Sequence, residues 1–149
     1  MDPTVTLTDT PDATARSVLL RGLMGFNATQ VGHPEDSHLL ALLLSDPATG
    51  EIIGGLWGDT LFGQLHISLL FVPETSRHAG LGRRLMGDAE AEAIRRGCAG
   101  AWLNTFSFQA RGFYEKLGYT VFGTLDNQPP GYSRFFLKKT FVTPPNSPG

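Results

Sequence analysis

The chain has 149 residues and a mass of 16.1 kDa, and its 12 basic and 14 acidic side chains give a formal charge of −2 at pH 7. With 41% apolar and 17% charged residues, it is typical of one globular domain whose core needs no disulfide or metal, and a disordered chain is excluded. The near balance of charge disfavours a broad electrostatic surface for nucleic acid, so we expect no nucleic-acid partner.

The sequence also carries no sign of a membrane or an oxidising compartment. No apolar run approaches the roughly 20 residues of a membrane helix, and the first residues lack the basic and apolar regions of a signal peptide. Cys98 is the only cysteine, so an internal disulfide is excluded. We therefore expect a cytoplasmic protein with no membrane partner.

The first third of the chain predicts a strand, a helix and a hairpin. Val5–Leu7 is read as a short strand, and Asp12 as the N-cap of a helix that reaches about Gln30, with Pro34 closing the region. A spacer at residues 46–50, with Pro and Gly, then separates two apolar runs and predicts a hairpin. The first of these runs, at residues 39–44, taken alone is equally compatible with buried helix.

The middle of the chain predicts a strand followed by a helix. Residues 64–72 contain no charged residue and indicate a strand that ends at Pro73. Strand alternation gives it a partly polar face and an apolar face that should pack on a helix. The polar face holds Gln64, His66, Ser68, Leu70 and Val72, and the apolar face holds Leu65, Ile67, Leu69 and Phe71.

The helix is predicted from about Ala79 to Arg96, with Gly97 as its C′ residue and a Glu92–Arg96 pair on its exposed side. Its apolar stripe comprises Leu81, Leu85, Met86, Ala89 and Ala93. The remaining predicted elements are a strand at 101–103, a helix at 109–116 stopped at Gly118, strands at 119–125 and 132–139, and a frayed tail at 144–149. Together they predict a mixed α/β domain with antiparallel hairpins at both ends.

The segment between the middle strand and its helix is a candidate phosphate-binding site. Residues 77–84 read Arg-His-Ala-Gly-Leu-Gly-Arg-Arg, so small residues place backbone amides at a helix N-terminus, an arrangement that binds phosphate. The alternative is that the glycines only form a tight turn. Leu85 stands where a dinucleotide motif needs glycine, and a P-loop needs Gly-Lys-Ser/Thr where this chain has Gly82-Arg83-Arg84, so both motifs are excluded.

The segment Arg77-x-x-Gly80-x-Gly82 resembles the Arg/Gln-x-x-Gly-x-Gly/Ala signature of the GCN5-related N-acetyltransferases, the GNAT superfamily. Residues 109–119 are similar to that family's later helix, Ala-x-x-Phe-Tyr-Glu-Lys-Leu-Gly-Phe/Tyr. The resemblance implies the acyl-CoA N-acyltransferase fold, with a mixed, mostly antiparallel sheet flanked by helices. It also implies a single domain over residues 1–143, with a flexible tail at 144–149.

By the same resemblance, the chain binds acetyl-CoA. The backbone amides of residues 77–83 would hold the pyrophosphate, and Arg83 or Arg84 would meet another phosphate. The strand would splay from its neighbour to admit the pantetheine arm, and the N–H of Leu70 would polarise the thioester carbonyl. The implied cofactor-binding residues are Leu70, Phe71, Val72, Arg77, His78, Ala79, Gly80, Leu81, Gly82, Arg83, Arg84, Asn104, Ser107 and Tyr114.

Two side chains are candidates for moving protons. Many family members have a general-base Glu where this chain has His66, and an imidazole can accept a proton at neutral pH. A histidine that only hydrogen-bonds a neighbour is the alternative, and water would then deprotonate the amine, because Ser68 cannot act as a base. Tyr114 matches the family's general acid, unless it is simply a core tyrosine. Where many members contact the cofactor with Asn, this chain has Ser107, and Asn104 is an alternative.

The acceptor is expected to be a primary amine of a small molecule or peptide, attacked directly in a ternary complex. Its pocket would be lined by Phe26, Gln30, Asp126 and Tyr132, with Asp126 attracting a cationic amine. The four histidines lack metal-ligand spacing, so no metal is expected. A homodimer is suggested by analogy, and a non-catalytic module that senses acyl-CoA remains the competing hypothesis.

Overall fold

The structure is a computed structural model that describes residues 2–33 and 35–142. It divides into two compact units, Met1–Asp36 and Ser37–Gly149, which are considered one at a time. Pro34 and the tail at 144–149 lie outside the described residues. The expectation of a single domain over residues 1–143 stays a prediction.

The first unit consists mainly of one helix, α1 (Ala15–Val31). It ends at Gly32, whose left-handed backbone (φ 87°) lets its N–H donate to the carbonyl of Ala28 at 3.0 Å. The expected N-cap was wrong by two residues. Thr14 takes that position, and the Asp12 carboxylate accepts from the Thr14 N–H at 2.8 Å and the Thr14 hydroxyl at 2.6 Å, so Asp12 orders the turn before the helix.

The short strand expected at Val5–Leu7 was wrong. These residues have no strand structure, and the Val5 and Leu7 side chains are 95% and 100% exposed. Three residues cannot form a strand without a partner that satisfies their backbone groups, and the described sheet contains no strand before β1.

The second unit is a six-stranded sheet with the strand order β1-β2-β3-β4-β6-β5. All neighbouring strands are antiparallel except β3 and β4, which run parallel. The mixed, mostly antiparallel sheet confirms the expected fold class. The elements are β1 (His38–Ser45), β2 (Ile52–Leu61), β3 (Gln64–Phe71), a 3₁₀ helix (Glu74–Ala79), α2 (Leu81–Arg95), β4 (Gly100–Phe106), α3 (Arg111–Lys116), β5 (Thr120–Asp126) and β6 (Ser133–Thr140).

Most predicted elements of this unit are present, with shifted ends. The 3₁₀ helix was not predicted, and it delays the start of α2 from Ala79 to Leu81. The helix expected from Gln109 begins at Arg111, because the Gln109 side-chain oxygen accepts from the Phe106 N–H at 2.7 Å and so belongs to the preceding turn. The Glu92–Arg96 pair is confirmed at 2.8 Å.

The core lies between α2 and one face of the sheet. Four of the five predicted stripe residues of α2 are buried, and Leu81 at its start is half-buried. Burying each large aliphatic side chain contributes about 1.5–3 kcal/mol, so this contact holds α2 firmly on the sheet. The buried residues that meet in this core include Leu65, Ile67, Leu85, Met86, Ala89, Ala93, Ala101, Leu103 and Leu137.

A β-bulge interrupts β3 and corrects the predicted faces. Trp57 pairs with Leu69 while its successor Gly58 pairs with Ile67, so Ser68 is an extra residue on β3. An inserted residue reverses the sides to which the following side chains point. Leu70 and Val72 therefore pack against the core, while Leu69 and Phe71 are 66% and 57% exposed. The expectation that Leu69 and Phe71 pack on a helix was wrong.

Candidate active site

The sheet opens between its two central strands. β3 and β4 pair over four positions, the last being Ile67 opposite Leu103. Each strand then continues, β3 to Phe71 and β4 to Phe106, without further pairing to the other. The bulge at Ser68 lies where this pairing stops. The expected splay is confirmed, and it leaves a gap between the backbones of two adjacent strands.

A turn at the end of β3 presents backbone amides. Gly80 adopts a left-handed conformation (φ 69°) as the N-cap of α2, and the first helical bond runs from the Arg84 N–H to its carbonyl at 3.1 Å. The amides just before Arg84 have no helical acceptor, and the helix dipole makes their surroundings positive. The predicted phosphate-binding residues occupy the 3₁₀ helix (Arg77, His78, Ala79), the junction (Gly80) and the first turn of α2 (Leu81, Gly82, Arg83, Arg84).

Both glycines of this turn also meet structural requirements. Gly80 has open space where a Cβ would lie, so only its positive φ demands glycine. At Gly82 a Cβ would lie 3.2 Å from the Phe113 ring, so the missing side chain allows α3 to approach α2 closely. The turn hypothesis and the phosphate hypothesis are therefore compatible, because the conformation that needs glycine is also the one that exposes the amides.

The arginines of the turn differ in what they contact. The Arg77 side chain donates through Nε to the Val72 carbonyl at 3.0 Å and ties the turn to the end of β3. Arg84 lies 3.7 Å from the Asp88 carboxylate and is 76% exposed. Arg83 is exposed and makes no hydrogen bond or ion pair among residues 2–33 and 35–142. Arg83 is therefore the arginine best placed to bind an added phosphate.

His66 lies one residue before the end of the β3–β4 pairing. Its ring stacks on Trp102 with the centroids 3.9 Å apart and an angle of 15° between the planes. Nδ1 lies 3.7 Å from the nearer carboxylate oxygen of Asp59, and the side chain is 29% exposed. Nε2 is buried and has no hydrogen-bond partner in the described part of the chain. The ring therefore offers a nitrogen that can accept a proton.

Tyr114 is the buried residue of α3. Its ring meets Phe113 and Tyr119 edge-on, with centroids 5.1 Å and 6.2 Å apart. Burial raises the pKa of the Tyr114 phenol above its ordinary value, because the charged phenolate is poorly solvated there. The hydroxyl therefore stays protonated, as a hydrogen-bond donor must.

The two residues proposed as replacements for the family's Asn already have partners. Asn104 accepts through Oδ1 from Arg134 Nε at 2.8 Å. Ser107 accepts through its hydroxyl oxygen from the Ser133 N–H at 3.1 Å, and its own N–H donates to the Ser133 carbonyl at 2.7 Å. Both residues tie the end of β4 to β6, so each has only part of its hydrogen-bonding capacity left for a ligand. Their role in cofactor binding stays a prediction.

Comparison with known proteins decides the family. Residues 14–119 match the family model described as "Acetyltransferase (GNAT) family". This chain belongs to the GNAT family. It is an acetyl-CoA-dependent N-acyltransferase, and acetyl-CoA is its acyl donor.

Individual relatives agree with the family model. Acetyltransferase Atu2258 of Agrobacterium fabrum (strain C58 / ATCC 33970) is 36% identical over 135 residues, which cover 91% of this chain and 97% of that protein. Blasticidin-S acetyltransferase of Streptomyces morookaense is 43% identical over 91 residues, covering 60% and 67%. The crystal structure of a putative acetyltransferase from Agrobacterium tumefaciens matches with a TM-score of 0.85 at 34% identity, covering 93% of this chain and all of that one.

The GNAT site fits acetyl-CoA on its own geometry. The open amides of the α2 N-terminus and the exposed Arg83 suit a pyrophosphate, and the strand that leads into this turn, β3, is the one whose pairing with β4 stops. Arg77 joins the two parts through the Val72 carbonyl. One continuous path along the end of β3 therefore offers donors for the phosphates and a slot for a narrow chain.

The predicted acceptor residues of this GNAT protein fall in both units. Phe26 and Gln30 lie on α1 in the first unit, and both are exposed. Asp126 ends β5, and its carboxylate accepts from the Ser133 hydroxyl at 3.2 Å. Tyr132 is half-exposed and meets Phe108 edge-on with the centroids 5.2 Å apart. The structure therefore brings Asp126 and Tyr132 to the two ends of one loop.

Sequence reasoning missed Asp59, the carboxylate that faces His66. The two-residue turn between β2 and β3 consists of Phe62 and Gly63, which both have positive φ (49° and 77°). Gly63 was the only local signal of this turn in the sequence. Counting outward from that turn pairs Asp59 with His66, as the structure does. A Phe-Gly pair is not among the usual turn sequences, and the turn was not predicted.

The described residues contain neither a metal site nor a membrane-spanning helix. No group of three or more His, Cys, Asp or Glu side chains is placed to hold a metal ion there. Among the helices of that part of the chain, none is long and apolar enough to cross a membrane.

Proposed function

We propose that this protein transfers the acetyl group of acetyl-CoA to a primary amine of a small molecule, by direct attack in a ternary complex. The observation that carries the proposal is the gap between β3 and β4, flanked by the open amides of α2 and by the unpartnered Nε2 of His66. A small-molecule acceptor is supported by the relative that is a blasticidin-S acetyltransferase.

The donor is bound mainly by backbone. The amides of residues 77–83 hold the pyrophosphate, and Arg83 or Arg84 meets a further phosphate. The backbone of Leu70, Phe71 and Val72, on β3 beyond its pairing with β4, lines the slot for the pantetheine arm. The Arg77–Val72 hydrogen bond fixes the turn and the slot relative to each other, so both parts of the ligand are engaged together.

Acetyl-CoA supplies the acetyl group as a thioester. The Leu70 N–H donates a hydrogen bond to the carbonyl oxygen as negative charge develops there, an effect that can lower the barrier by about 3 kcal/mol. The amine nitrogen forms a bond to the carbonyl carbon while the carbon–sulfur bond breaks. One proton leaves the amine and one is delivered to the sulfur, so the products are the N-acetylated amine and the free thiol.

His66 accepts the proton that leaves the amine, directly or through one water, at its Nε2. Its position before the gap and the lack of a hydrogen-bond partner for Nε2 among residues 2–33 and 35–142 support this role. Tyr114 donates its hydroxyl proton or a hydrogen bond to the leaving sulfur, and the raised pKa of its phenol, which keeps the group protonated, supports the hydrogen bond. Cys98 is buried in the core, which agrees with direct attack and with no acyl-enzyme.

The acceptor is held by side chains rather than by backbone. The Asp126 carboxylate attracts a cationic group of the acceptor, and the half-exposed Tyr132 ring provides an apolar wall beside it. Phe26 and Gln30, on α1 of the first unit, stay predictions from the sequence. The attacking amine must be neutral when it reacts, so it cannot pair with the Asp126 carboxylate. Asp126 therefore favours an acceptor that carries a positive charge on another group.

A screen tests the proposal. The protein is mixed with acetyl-CoA and a panel of small amines with one or more positive charges, and free thiol release is followed with a no-acceptor control. We expect thiol release that depends on the amine, together with an acetylated product seen by mass spectrometry. If the protein binds coenzyme A but releases no thiol with any amine, the proposed reaction is wrong and a non-catalytic acyl-CoA-binding role is favoured.

A further inference from the structure

We propose that Asp59 is a positioning residue for His66, and that Ser37 fixes Asp59 in turn. The inference rests on the proposed function, since it assigns how the proposed base is oriented. Asp59 is the β2 residue directly opposite His66 on β3, so the two side chains lie on the same face of the sheet. Side chains at directly paired positions of antiparallel strands are close enough to interact.

The contact is made at the nitrogen that the chemistry does not use. The nearer Asp59 oxygen lies 3.7 Å from Nδ1, while Nε2 is buried and has no partner among the described residues. A carboxylate favours a proton on the nitrogen that faces it. Asp59 therefore selects the neutral ring with N–H at Nδ1, which leaves the lone pair at Nε2 for the proton of the amine.

The Asp59 carboxylate is itself held in place. Its second oxygen, Oδ2, accepts from the Ser37 hydroxyl at 2.7 Å, so the oxygen facing His66 is Oδ1. This bond restricts rotation of the carboxylate and keeps Oδ1 directed at the ring. The resulting order is Ser37 hydroxyl, Asp59 carboxylate, His66 imidazole, and then the reacting amine.

The contact between Asp59 and His66 is longer than a hydrogen bond in this structure. At 3.7 Å the two atoms are beyond a direct N–H···O hydrogen bond, and such bonds often tighten only when the substrate is bound. The Trp102 ring lies nearly parallel to His66, so the imidazole can slide within its plane while it keeps the stacking contact. The other charged group that flanks Trp102 on this face is Lys138, which pairs with Trp102 from β6.

The first test reads the protonated nitrogen of His66 directly. In ¹⁵N spectra of the neutral imidazoles, with the His66 signals assigned by loss in His66→Ala, we expect the Nδ1–H form in the wild type and a mixture enriched in Nε2–H in Asp59→Asn. This readout needs no enzymatic activity. Nε2–H as the main form in the wild type would overturn the inference.

The second test uses kinetics with an amine that the wild type acetylates. We expect Asp59→Asn to lower kcat by about 10–100-fold with little change in the KM for acetyl-CoA, the size of effect seen where a carboxylate that orients a metal-binding imidazole is removed. In the His66→Ala background the same substitution should have no further effect. A full additive loss there would mean that Asp59 acts independently of His66 and would contradict the inference.

Two variants make these tests decisive. Ser37→Ala removes only the hydrogen bond to Asp59 and should lower kcat by about fivefold, less than the full value of a hydrogen bond to a carboxylate, because Asp59 itself still faces His66. This variant tests the inference even if Asp59→Asn proves unstable. Asp46→Asn removes a carboxylate from the turn of the same β1–β2 hairpin, where it accepts from the Ala48 N–H, and should retain wild-type kcat. Unchanged kcat in both Ser37→Ala and Asp59→Asn would overturn the inference. If the wild type acetylates no amine, the proposed function fails while the ¹⁵N spectra still decide the Asp59–His66 contact.

Discussion

The donor side and the acceptor side of the proposed site differ in the groups that form them, since one uses mainly backbone and the other mainly side chains. The proposed donor side is mostly main chain, from Leu70 through the turn at Gly80 into the first turn of α2, and it is continuous in sequence. The proposed proton-transfer and acceptor side consists of side chains from several strands, such as Asp59, His66 and Asp126. Single substitutions should therefore weaken the second side strongly and the first side only slightly, because a side-chain change leaves backbone amides in place.

The largest expected effect is at His66. Substituting His66 with Ala should lower kcat by about 10²–10⁴-fold, the usual contribution of a general base. Steady-state kinetics at a saturating concentration of amine checks this. Wild-type kcat in His66→Ala would show that water deprotonates the amine and that His66 has a structural role.

Tyr114→Phe should have the next largest effect. It removes the donor proposed for the leaving sulfur, so kcat should fall by about 10–100-fold while coenzyme A binding measured by calorimetry changes little. Burial raises the pKa of the Tyr114 phenol, and a raised pKa keeps the group protonated to higher pH. The wild-type rate should therefore show no loss from phenol ionisation at neutral or mildly alkaline pH. Equal kcat values for the two proteins would assign Tyr114 to the core alone.

Asp126→Asn probes the acceptor end of the same side. Losing the charge should raise the KM for a dicationic amine by about tenfold, as expected for a hydrogen bond to a charged group, and leave the KM for acetyl-CoA unchanged. A monocationic amine of similar size is the matched control, since it should respond less. If neither amine responds in Asp126→Asn or in Tyr132→Ala, the acceptor binds elsewhere.

The smallest effect should come from the donor side. Arg83→Ala removes one exposed charge and should weaken coenzyme A binding by only about 2–5-fold, with the difference shrinking at high salt. Arg95→Ala, at the far end of α2 and paired with Glu92, is the control and should bind like the wild type. A loss of 100-fold in Arg83→Ala would show that side chains, not amides, dominate on this side.

The same contrast explains what could be predicted from sequence. The donor turn was predictable because its requirements are local: Gly80 needs a positive φ and Gly82 needs a missing Cβ, and both lie within one short motif. The order of the middle strand, the turn and the helix followed from the change in hydrophobic pattern. Residues whose role depends only on near neighbours can be recognised without a structure.

The proton-transfer and acceptor side could not be predicted as well, because it depends on features that the hydrophobic pattern of the sequence does not indicate. Nothing in the alternation of residues 64–72 indicates the extra residue at Ser68, so Leu69 and Phe71 were placed on the wrong face. Asp59 is linked to His66 through the turn at Phe62-Gly63, whose sequence is not one of the usual hairpin turns, and the hydrogen bond between Arg134 and Asn104 required the pairing of β4 with β6. An uncommon turn and a long-range strand pairing are what the sequence alone could not supply.

Because of the bulge at Ser68, the register of β3 depends more on the number of residues in the strand than on which residues they are. Before Ser68, the strand is locked between two neighbours, and after it the register with β2 is displaced by one residue. Deleting Ser68 would remove the bulge and leave regular alternation, with Leu70 and Val72 still on the core face, whereas inserting one more residue there would turn the end of the strand over. A variant library that scans single-residue insertions along residues 64–72 should therefore lose function far more often than one that scans substitutions.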